Sequence, residues 1–530
     1  MKIKMNNRDH WEPVMESRFL EIDETDQLLQ NNEGDHNDVD PVSYEEAWKT
    51  IGYGKFHVLL LALCGWAVSS DAIEVLSVSF MLPSAQCDLH LSSTDKGWLN
   101  SIIFVGMMVG GYFWGSLADR VGRRTVLMGS LTVNGLGGLV SSTSQVYWLF
   151  LIMRFISGIG VGGSIPVIFS YYTEFLPKFR RGTMISALAT FWMMGNIIAS
   201  GLAWLVIPHP ELGYYSSGFK YNSWRIFIAI CTFPSLSSAF LFMFMPESPK
   251  FYLTKHDEAR ALDSLRTVHR MNHGNKAFLI KRLILTTERE EVESEDKRNP
   301  RCMENMKSIV HQTQKLFGRS LRRTTIIMLI INFTLSFGYY GLWMWFPEIF
   351  SRVEKYGGSL CSHAEVNTTG TNTMTGCNPI PENWVFFEGF MTALSNLPGN
   401  LFTIVMMDRI GRKPLLAISM FISGGTVFLL PVVKTKLQNL LISCMFGAVT
   451  TVGWNAIDVL QAELFPTAVR STAFGVQSGI GRIAAILGNM VFGSLVDIHC
   501  AIPMIMVASL LCLGGLSAIR LPNTTGKDIH

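Results

Sequence analysis

Twelve apolar runs of about twenty residues each divide the chain, and they constrain its fold more than any other feature. A helix of that length spans the hydrocarbon core of a bilayer, which is roughly 30 Å thick, and makes all its backbone hydrogen bonds internally. The sequence therefore predicts an all-α membrane protein. We expect its transmembrane helices at 56–82, 97–118, 125–143, 147–173, 183–207, 225–245, 324–349, 384–407, 414–432, 437–461, 472–495 and 500–520.

The composition excludes several classes of function. Charged residues make up only 16% of the 530 residues, against roughly a quarter in soluble domains. The net charge of +3 argues against a nucleic-acid partner. No constellation typical of catalysis and no cluster with metal-ligand spacing is visible, so we predict no enzymatic activity, no metal and no cofactor.

The spans form two groups of six, separated by a polar segment. Loops after even-numbered spans carry more Lys and Arg than loops after odd-numbered spans, which include Lys96 and Arg352. Because cytosolic loops are enriched in these residues, both termini and the polar segment are predicted to be cytosolic. The predicted regions are an acidic disordered tail (1–54), an N-terminal half (55–246), a cytosolic linker (247–323), a C-terminal half (324–522), a lumenal or extracellular loop within it (350–383), and a short cytosolic tail (523–530).

The two halves repeat internally with a constant offset of 289 residues. That offset relates Asp119 in "GSLADRVGRR" to Asp408 in "VMMDRIGRKP", Glu174 to Glu463, and Arg181 to Arg470. One offset that holds at three positions indicates the parallel repeat of a transporter built from two equivalent halves.

The two D-R-x-G-R turns predict a gating device at the cytosolic ends of spans two and eight. Gly permits a tight turn between helices, and an Asp at a helix end can pair with an Arg on a neighbouring helix. We expect Asp119, Arg123, Asp408 and Arg412 to form such latches, with partners from the Glu-x6-Arg loops that hold Glu174, Arg181, Glu463 and Arg470. The alternative is that these basic clusters only anchor the chain at an anionic leaflet.

Ionisable residues inside the predicted spans are the strongest indication of a solute pathway. Asp71 and Glu74 share a face of the first span, Asp458 lies in the tenth, and Arg482 lies in the eleventh. Each costs a few kcal/mol in the bilayer unless it faces a cavity or a partner. They predict a pathway that binds a charged or zwitterionic solute or relays a proton; the alternative is a structural ion pair such as Arg482 with Asp458.

Several sequence motifs resemble those of the major facilitator superfamily, and the resemblance extends from about residue 50 to residue 522. "ADRVGRR", "RFISGIGVGGSIPV" and "PESPKF" resemble signatures of sugar-porter-like and organic-ion members. "SSDAIEVLSVSFMLPSA", "FWMMGNIIASGLAWLVIPH", "NFTLSFGYYGLWMWFPEI" and "WNAIDVLQAELFPTAVRSTAFG" look closer to the synaptic vesicle glycoprotein 2 group and its relatives. Two departures are the short 350–383 loop, where that group carries a large lumenal domain, and Asn523, where the family usually has Glu.

The resemblance implies a central site and a coupling residue. Trp192, Tyr339, Tyr340 and Trp454 match positions that line the central site in the family. Aromatic rings beside carboxylates favour cations through cation–π attraction. Arg154, which opens the glycine-rich fourth span, is implied to be a hinge or coupling residue. We therefore expect the aromatics to converge on one cavity with Asp71, Glu74, Asp458 and Arg482.

Three shorter features concern targeting and processing. "ETDQLL", with Glu24, Leu28 and Leu29, fits an acidic dileucine signal that a sorting adaptor would bind. Asn367 begins a glycosylation sequon in the predicted lumenal loop. Cys361 and Cys377 bracket that sequon, and we expect them to form a disulfide in an oxidising compartment.

The leading hypothesis is a secondary active transporter of small cationic or zwitterionic organic solutes, with a coupling proton, in a vesicle membrane or the plasma membrane. Solute would bind between the halves, which would then alternate access by rocking. The alternative is a transporter-shaped vesicle protein with a trafficking or scaffolding role and little transport.

Overall fold

The computed structural model describes residues 42–177, 180–216, 219–274, 276–284, 311, 313–356, 383–433 and 435–522. Twelve helices cross the protein in chain order: α1 Lys55–Leu89, α2 Ser93–Val121, α3 Arg123–Thr143, α4 Tyr147–Glu174, α5 Arg181–Val206, α6 Ser223–Phe242, α7 Arg322–Trp343, α8 in two segments Asn383–Leu394 and Asn396–Ile410, α9 Arg412–Leu429, α10 Lys436–Leu464, α11 Thr467–Leu495 and α12 Ala501–Ile519. The prediction of a twelve-helix membrane protein is confirmed.

Eleven of these helices are long and apolar enough to cross a bilayer by length and composition alone. The remaining one, α3, is rich in Gly, Ser and Thr and packs against α4 and α6. Its polar residues, such as Ser130 and Asn134, are buried inside the protein rather than exposed to lipid. The low hydropathy of α3 therefore reflects its interior position, since small polar residues allow close packing between membrane helices.

Short elements complete the described fold. Outside the membrane helices lie the helices Tyr44–Ile51, Pro249–Thr254, Glu258–His273 and Phe346–Tyr356 and the 3-10 helices Pro210–Leu212 and Leu430–Val432. Strand Val42–Ser43 pairs in parallel with Leu283–Ile284, and Tyr214–Ser216 pairs antiparallel with Phe219–Tyr221. The seventh span was predicted as one helix over 324–349, but α7 ends at Trp343 and a new helix begins at Phe346 after a turn.

The helix packing repeats between the two halves. In the first half, α1 packs on α5 and α6, α4 packs on α2 and α3, and α3 packs on α6. The equivalent pairs recur in the second half, where α7 packs on α11 and α12, α10 packs on α8 and α9, and α9 packs on α12. The halves meet through α2 with α11 and α5 with α8, which are equivalent pairs. The 289-residue repeat in the sequence thus corresponds to a structural repeat.

The two ends of the helix bundle differ, and we name them by their residues. The latch face carries the turns after Asp119 and Asp408, which lie two residues before the ends of α2 and α8. The far face is the opposite end, where α2 begins at Ser93 and α11 ends at Leu495. Helix Tyr44–Ile51 lies at the latch face, because the Tyr44 hydroxyl donates to the Glu174 carbonyl at the end of α4.

The halves touch at the far face and separate toward the latch face. Backbone atoms of Gly97 on α2 pack against those of Gly493 on α11, and the Ser101 hydroxyl donates to the Ile486 carbonyl over 3.2 Å.

Because α2 and α11 run antiparallel, the register that places Gly97 beside Gly493 would also place Gly115 on α2 beside Gly475 on α11. A Cβ built on either glycine meets nothing within 4 Å. The structure is therefore closed at the far face and open at the latch face.

Candidate functional site

The two latch turns have the same backbone geometry. Gly122 has φ +109° and ψ 153°, and Gly411 has φ +93° and ψ 151°. L-residues with side chains rarely adopt such positive φ values, so glycine is required for the sharp passage from α2 to α3 and from α8 to α9. The Glu247 carboxylate of "PESPKF" accepts the Arg124 backbone N–H over 3.0 Å and thereby caps the start of α3.

Equivalent ion pairs brace the latch turns. Arg123 Nε lies 3.4 Å from Glu174 Oε1, and Arg412 Nε lies 3.2 Å from Glu463 Oε1. Each pair joins two helices of the same half. Arg123 also contacts Asp119 over 3.2 Å, and the Asp119 side chain is 77% exposed. The side chain of Asp408 lies outside the described part of the structure.

The arginines of the two Glu-x6-Arg loops, Arg181 and Arg470, bind backbone carbonyls rather than the glutamates of the latches. Arg181 Nε donates to the Leu176 carbonyl over 3.0 Å, and Arg470 Nε donates to the equivalent Phe465 carbonyl over 3.2 Å. Arg181 also pairs with Glu45 of helix Tyr44–Ile51 over 2.9 Å. The segment before α1 is therefore bound to the latch of the first half.

A small cavity lies between the two halves. Its walls come from α1, α5 and α7, together with the turn that follows α7. The lining residues are Val75, Leu76, Trp192, Asn196, Tyr339, Tyr340, Trp343 and Met344. Both halves contribute to this cavity, so relative motion of the halves would change its shape.

Trp454 on α10 extends the aromatic wall. Its ring centroid lies 5.8 Å from that of Tyr339 and 6.0 Å from that of Tyr340, both in edge-to-face arrangements. The indole Nε1 of Trp454 is buried and has no hydrogen-bond partner in the structure. Buried indole N–H groups usually find an acceptor, so this one is available to a ligand.

The two charged groups nearest this wall do not pair with each other. Asp458 lies four residues after Trp454 on α10, and its side chain is exposed. Arg482 on α11 directs Nη1 at Met107 Sδ over 3.0 Å. Among the described residues, no ion pair joins Arg482 to Asp458. Neither group is therefore occupied by the other, and both could contact a ligand.

Asp71 and Glu74 lie inside the first half rather than in the cavity wall. Asp71 accepts Asn134 Nδ2 from α3 over 3.2 Å and the Ser164 hydroxyl from α4 over 2.6 Å. Glu74 forms a buried ion pair with Arg154. The structure thus does not place these two carboxylates with the cavity aromatics, because the face of α1 that carries them packs on α3 and α4.

Several residues of the site were not found from the sequence. Asn196, Trp343 and Met344 line the cavity, and only the resemblance of their helices could have indicated them. Lys96 was assigned to a loop, but it lies in the first turn of α2 and pairs with Glu348 over 2.7 Å. Its position beside a predicted helix end gave no sign of burial.

Several predictions fall outside the described residues and stay predictions. They concern the glycosylation of Asn367, the Cys361–Cys377 bridge and the sorting signal with Glu24, Leu28 and Leu29. Within the described ranges, Cys87 at the end of α1 and Cys500 before α12 each take part in a disulfide bond. The same ranges contain no group of three or more His, Cys, Asp or Glu that could hold a metal ion.

The family is decided by two matches that together cover most of the chain. Residues 47–363 match the family described as "Sugar (and other) transporter", and residues 387–528 match "Major Facilitator Superfamily". The chain belongs to the major facilitator superfamily. This family consists of membrane transporters, which agrees with the prediction that the chain is not an enzyme.

Relatives place the chain near a vesicle group within that superfamily. It is 33% identical to synaptic vesicle glycoprotein 2C of Mus musculus over 91% of this chain and 80% of that protein. It is also 33% identical to synaptic vesicle glycoprotein 2A of Homo sapiens over 92% of this chain and 80% of that protein. The resemblance stated from the sequence is thereby confirmed.

Solved structures support the fold. A partially occluded inward-open structure of the xylose transporter XylE from E. coli has a TM-score of 0.64 at 17% identity and covers 89% of this chain and 99% of that one. A D-xylose-proton symporter has a TM-score of 0.62 at 18% identity, with 90% and 100% coverage.

Proposed function

We propose that this major facilitator protein is a secondary active transporter that binds a small cationic or zwitterionic organic solute between its halves. The observation that carries the proposal is the inter-half cavity walled by Trp192, Tyr339, Tyr340 and Trp454, with the Asp458 carboxylate one helical turn beyond Trp454. Aromatic faces attract cations, and a carboxylate adds a full opposite charge. A zwitterion would also meet Arg482, for which the described residues include no ion-pair partner.

Alternating access fits the asymmetry between the two faces. The halves pack through Gly97 and Gly493 at the far face, whereas the Gly115 and Gly475 positions on the same two helices are open. Rocking the halves about the cavity would exchange the closed and open faces. The latch pairs Arg123–Glu174 and Arg412–Glu463 lie within their own halves, so each half can move as a unit.

We assign proton coupling to the buried polar network of α1, α3 and α4. Glu74 is paired with Arg154, whereas the hydrogen-bond partners of Asp71 are neutral groups, the Asn134 amide and the Ser164 hydroxyl. A carboxyl with neutral partners can exchange a proton without breaking an ion pair. The 289-residue offset places Ser443 at the position equivalent to Arg154, so the second half lacks this arginine.

We propose that the latch face is cytosolic and the far face is lumenal or extracellular. Cys87 and Cys500 are both at the far face and each takes part in a disulfide bond, and disulfides persist in oxidising compartments. The basic latch residues fit the positive-inside rule. Similarity to synaptic vesicle glycoproteins favours a secretory or synaptic vesicle membrane, where the dileucine signal would bind a sorting adaptor.

The test is uptake into proteoliposomes. Purified protein would be reconstituted and offered cationic, zwitterionic and anionic organic solutes, each with and without an imposed pH gradient. We expect cationic or zwitterionic solutes to accumulate, and a gradient to increase their accumulation. The variant Asp71→Asn should retain solute binding but lose the response to the gradient.

A second outcome would support a different function. If no solute accumulates while the protein remains folded and monodisperse, the trafficking or scaffolding role is favoured. Solute binding without uptake would mean that the cavity is retained as a ligand site in a protein that no longer transports. Accumulation of anions alone would contradict the proposed charge preference.

A further inference from the structure

A cluster of charged side chains joins the two halves at the far face. Lys96 on α2 pairs with Glu348 over 2.7 Å, and Arg352, one turn after Glu348, donates to Glu348 over 2.9 Å. Arg352 also donates to Asp497 and to the Ser93 hydroxyl on α2, each over 2.9 Å. Two cations and two carboxylates therefore balance one another across the interface.

The centre of this cluster is withdrawn from water. The Lys96 side chain is 1% exposed and that of Glu348 is 6% exposed. Among the ion pairs of the described residues, Lys96–Glu348 alone connects the first half with the second; the latch pairs at the other face stay within one half. Among the described residues, the structure thus contains a cross-half ion pair at the closed face, whereas the latch pairs Arg123–Glu174 and Arg412–Glu463 each stay within one half.

A break in α7 lies directly beneath the cluster. The helix ends at Trp343 and resumes at Phe346, which leaves the Met344 carbonyl free of the helical hydrogen-bond pattern. This carbonyl accepts the Ser79 hydroxyl of α1 over 2.5 Å and Asn100 Nδ2 of α2 over 3.4 Å. Met344 also lines the central cavity. The segment that carries Glu348 and Arg352 is therefore in contact with the solute site at its base.

We propose that the Lys96–Glu348–Arg352 cluster is the lock of the far-face gate and holds the broken end of α7 against α1 and α2. This inference rests on the proposed alternating access. In the closed state each buried charge is satisfied by its partners. On opening, water would hydrate the same charges, so the closed and open states remain close in free energy.

Removing one partner of the Lys96–Glu348 pair raises the free energy of the closed state alone. Lys96→Met would leave Glu348 buried with fewer counter-charges when the gate is closed, whereas in the open state that carboxylate would be hydrated. A change shifts a conformational equilibrium only through such a difference between the two states. We therefore expect Lys96→Met to favour the open far face, and Lys96→Arg, which keeps the charge, to resemble the wild type.

Two cysteine reporters on α2 would measure the equilibrium without any solute. Ser101→Cys is buried in the far-face contact, and Gly115→Cys lies in the open latch-face gap. A soluble maleimide would be reacted with the purified full chain, and labelling of the chain without an added cysteine would be subtracted. Lys96→Met should speed labelling of the first reporter by at least about tenfold and slow labelling of the second.

The matched control is another Lys–Glu pair within the second half. Lys436 pairs with Glu354, also at the far face, so Lys436→Met removes a similar charge without crossing the interface. Equal labelling rates in the Lys96→Met and Lys436→Met proteins would show that the Lys96–Glu348–Arg352 cluster is not the lock of the gate. If Lys96→Met fails to fold, Glu348→Gln tests the same prediction with a smaller change in shape.

Failure of the lock and failure of the proposed function give different results. Normal uptake with unchanged labelling in Lys96→Met would reject the lock and keep the transporter. Opposite shifts of the two reporters in a protein that transports nothing would keep the lock and reject transport.

Discussion

The buried ion pair between Arg154 and Glu74 yields a quantitative prediction about stability. Both side chains have at most 2% exposure, and Arg154 reaches Glu74 from α4 across to α1. Arg154→Met preserves an apolar stem of similar length but leaves the Glu74 carboxylate buried, with the Ser157 hydroxyl 2.6 Å from it as a remaining partner. We expect this change to destabilise the first half.

The magnitude follows from the cost of an uncompensated buried charge. Removing one partner of a buried pair typically costs about 3–5 kcal/mol, whereas neutralising both partners costs much less. For a unit of roughly 200 residues, each kcal/mol lowers the melting temperature by about 2–4 °C. Arg154→Met should therefore lower it by roughly 6–20 °C, and Glu74→Gln combined with Arg154→Met should recover at least half of that loss.

Thermal unfolding of the detergent-purified variants, followed by tryptophan fluorescence, measures this directly. Arg120→Met is the control, because Arg120 is an exposed arginine at the end of α2 and should give no measurable shift. If the single and double variants melt at the same reduced temperature, the loss comes from packing and not from the charge, and the reasoning is refuted.

Three further predictions concern the cavity, a latch turn and the far-face gate. Trp454→Ala should weaken solute binding by about 1–3 kcal/mol, a roughly 5- to 150-fold rise in Kd by calorimetry; unchanged affinity would exclude Trp454 from the site. Gly122→Ala should lower the free energy of unfolding by about 1–3 kcal/mol, because Gly122 has a φ of +109°. Gly182→Ala, where a Cβ meets nothing within 4 Å, should have the melting temperature of the wild type. Equal melting temperatures for the two variants would show that Gly122→Ala introduces no strain. Burial would raise the pKa of Glu348, but its two cationic neighbours outweigh burial and hold the pKa below its ordinary value of 4.5. Because the pKa of Glu348 is lowered, its contribution to the stability of the closed gate is fully present above pH 4.5 and is lost as the pH falls through the lowered pKa. Labelling of Ser101→Cys, corrected for reagent reactivity, should therefore stay slow between about pH 5 and 7.5. Faster labelling within that range would contradict this role of Glu348.

The architecture could be predicted from the sequence because lipid imposes a simple rule. Apolar runs of bilayer length give helices, and the 289-residue offset gives two equivalent halves. The similar positive φ values at Gly122 and Gly411 follow from the same repeat. These features depend on local composition and on spacing along the chain, both of which the sequence states directly.

The partners of the charged residues could not be predicted in the same way. Spacing places Asp71 and Glu74 on one face of α1, but the rotation of α1 decides whether that face meets the cavity or the inside of its own half. The neighbouring Val75 and Leu76 line the cavity instead. Likewise, the break after Trp343 lies inside an apolar run that has the length of one span; Pro347, in the first turn of the helix that follows, is the one residue of the run that favours a new helix start there.

The central claim is that solute binds at the inter-half cavity and is carried across the membrane. Uptake of a cationic or zwitterionic solute by proteoliposomes containing Asp458→Asn, compared with wild type and with Asp119→Asn, tests it most directly. Asp119→Asn is a control for solute binding, because that carboxylate lies at the latch face, away from the cavity. We predict that Asp458→Asn folds and inserts normally, that it loses uptake, and that Asp119→Asn retains measurable solute binding. Uptake by Asp458→Asn at the wild-type rate would contradict the account.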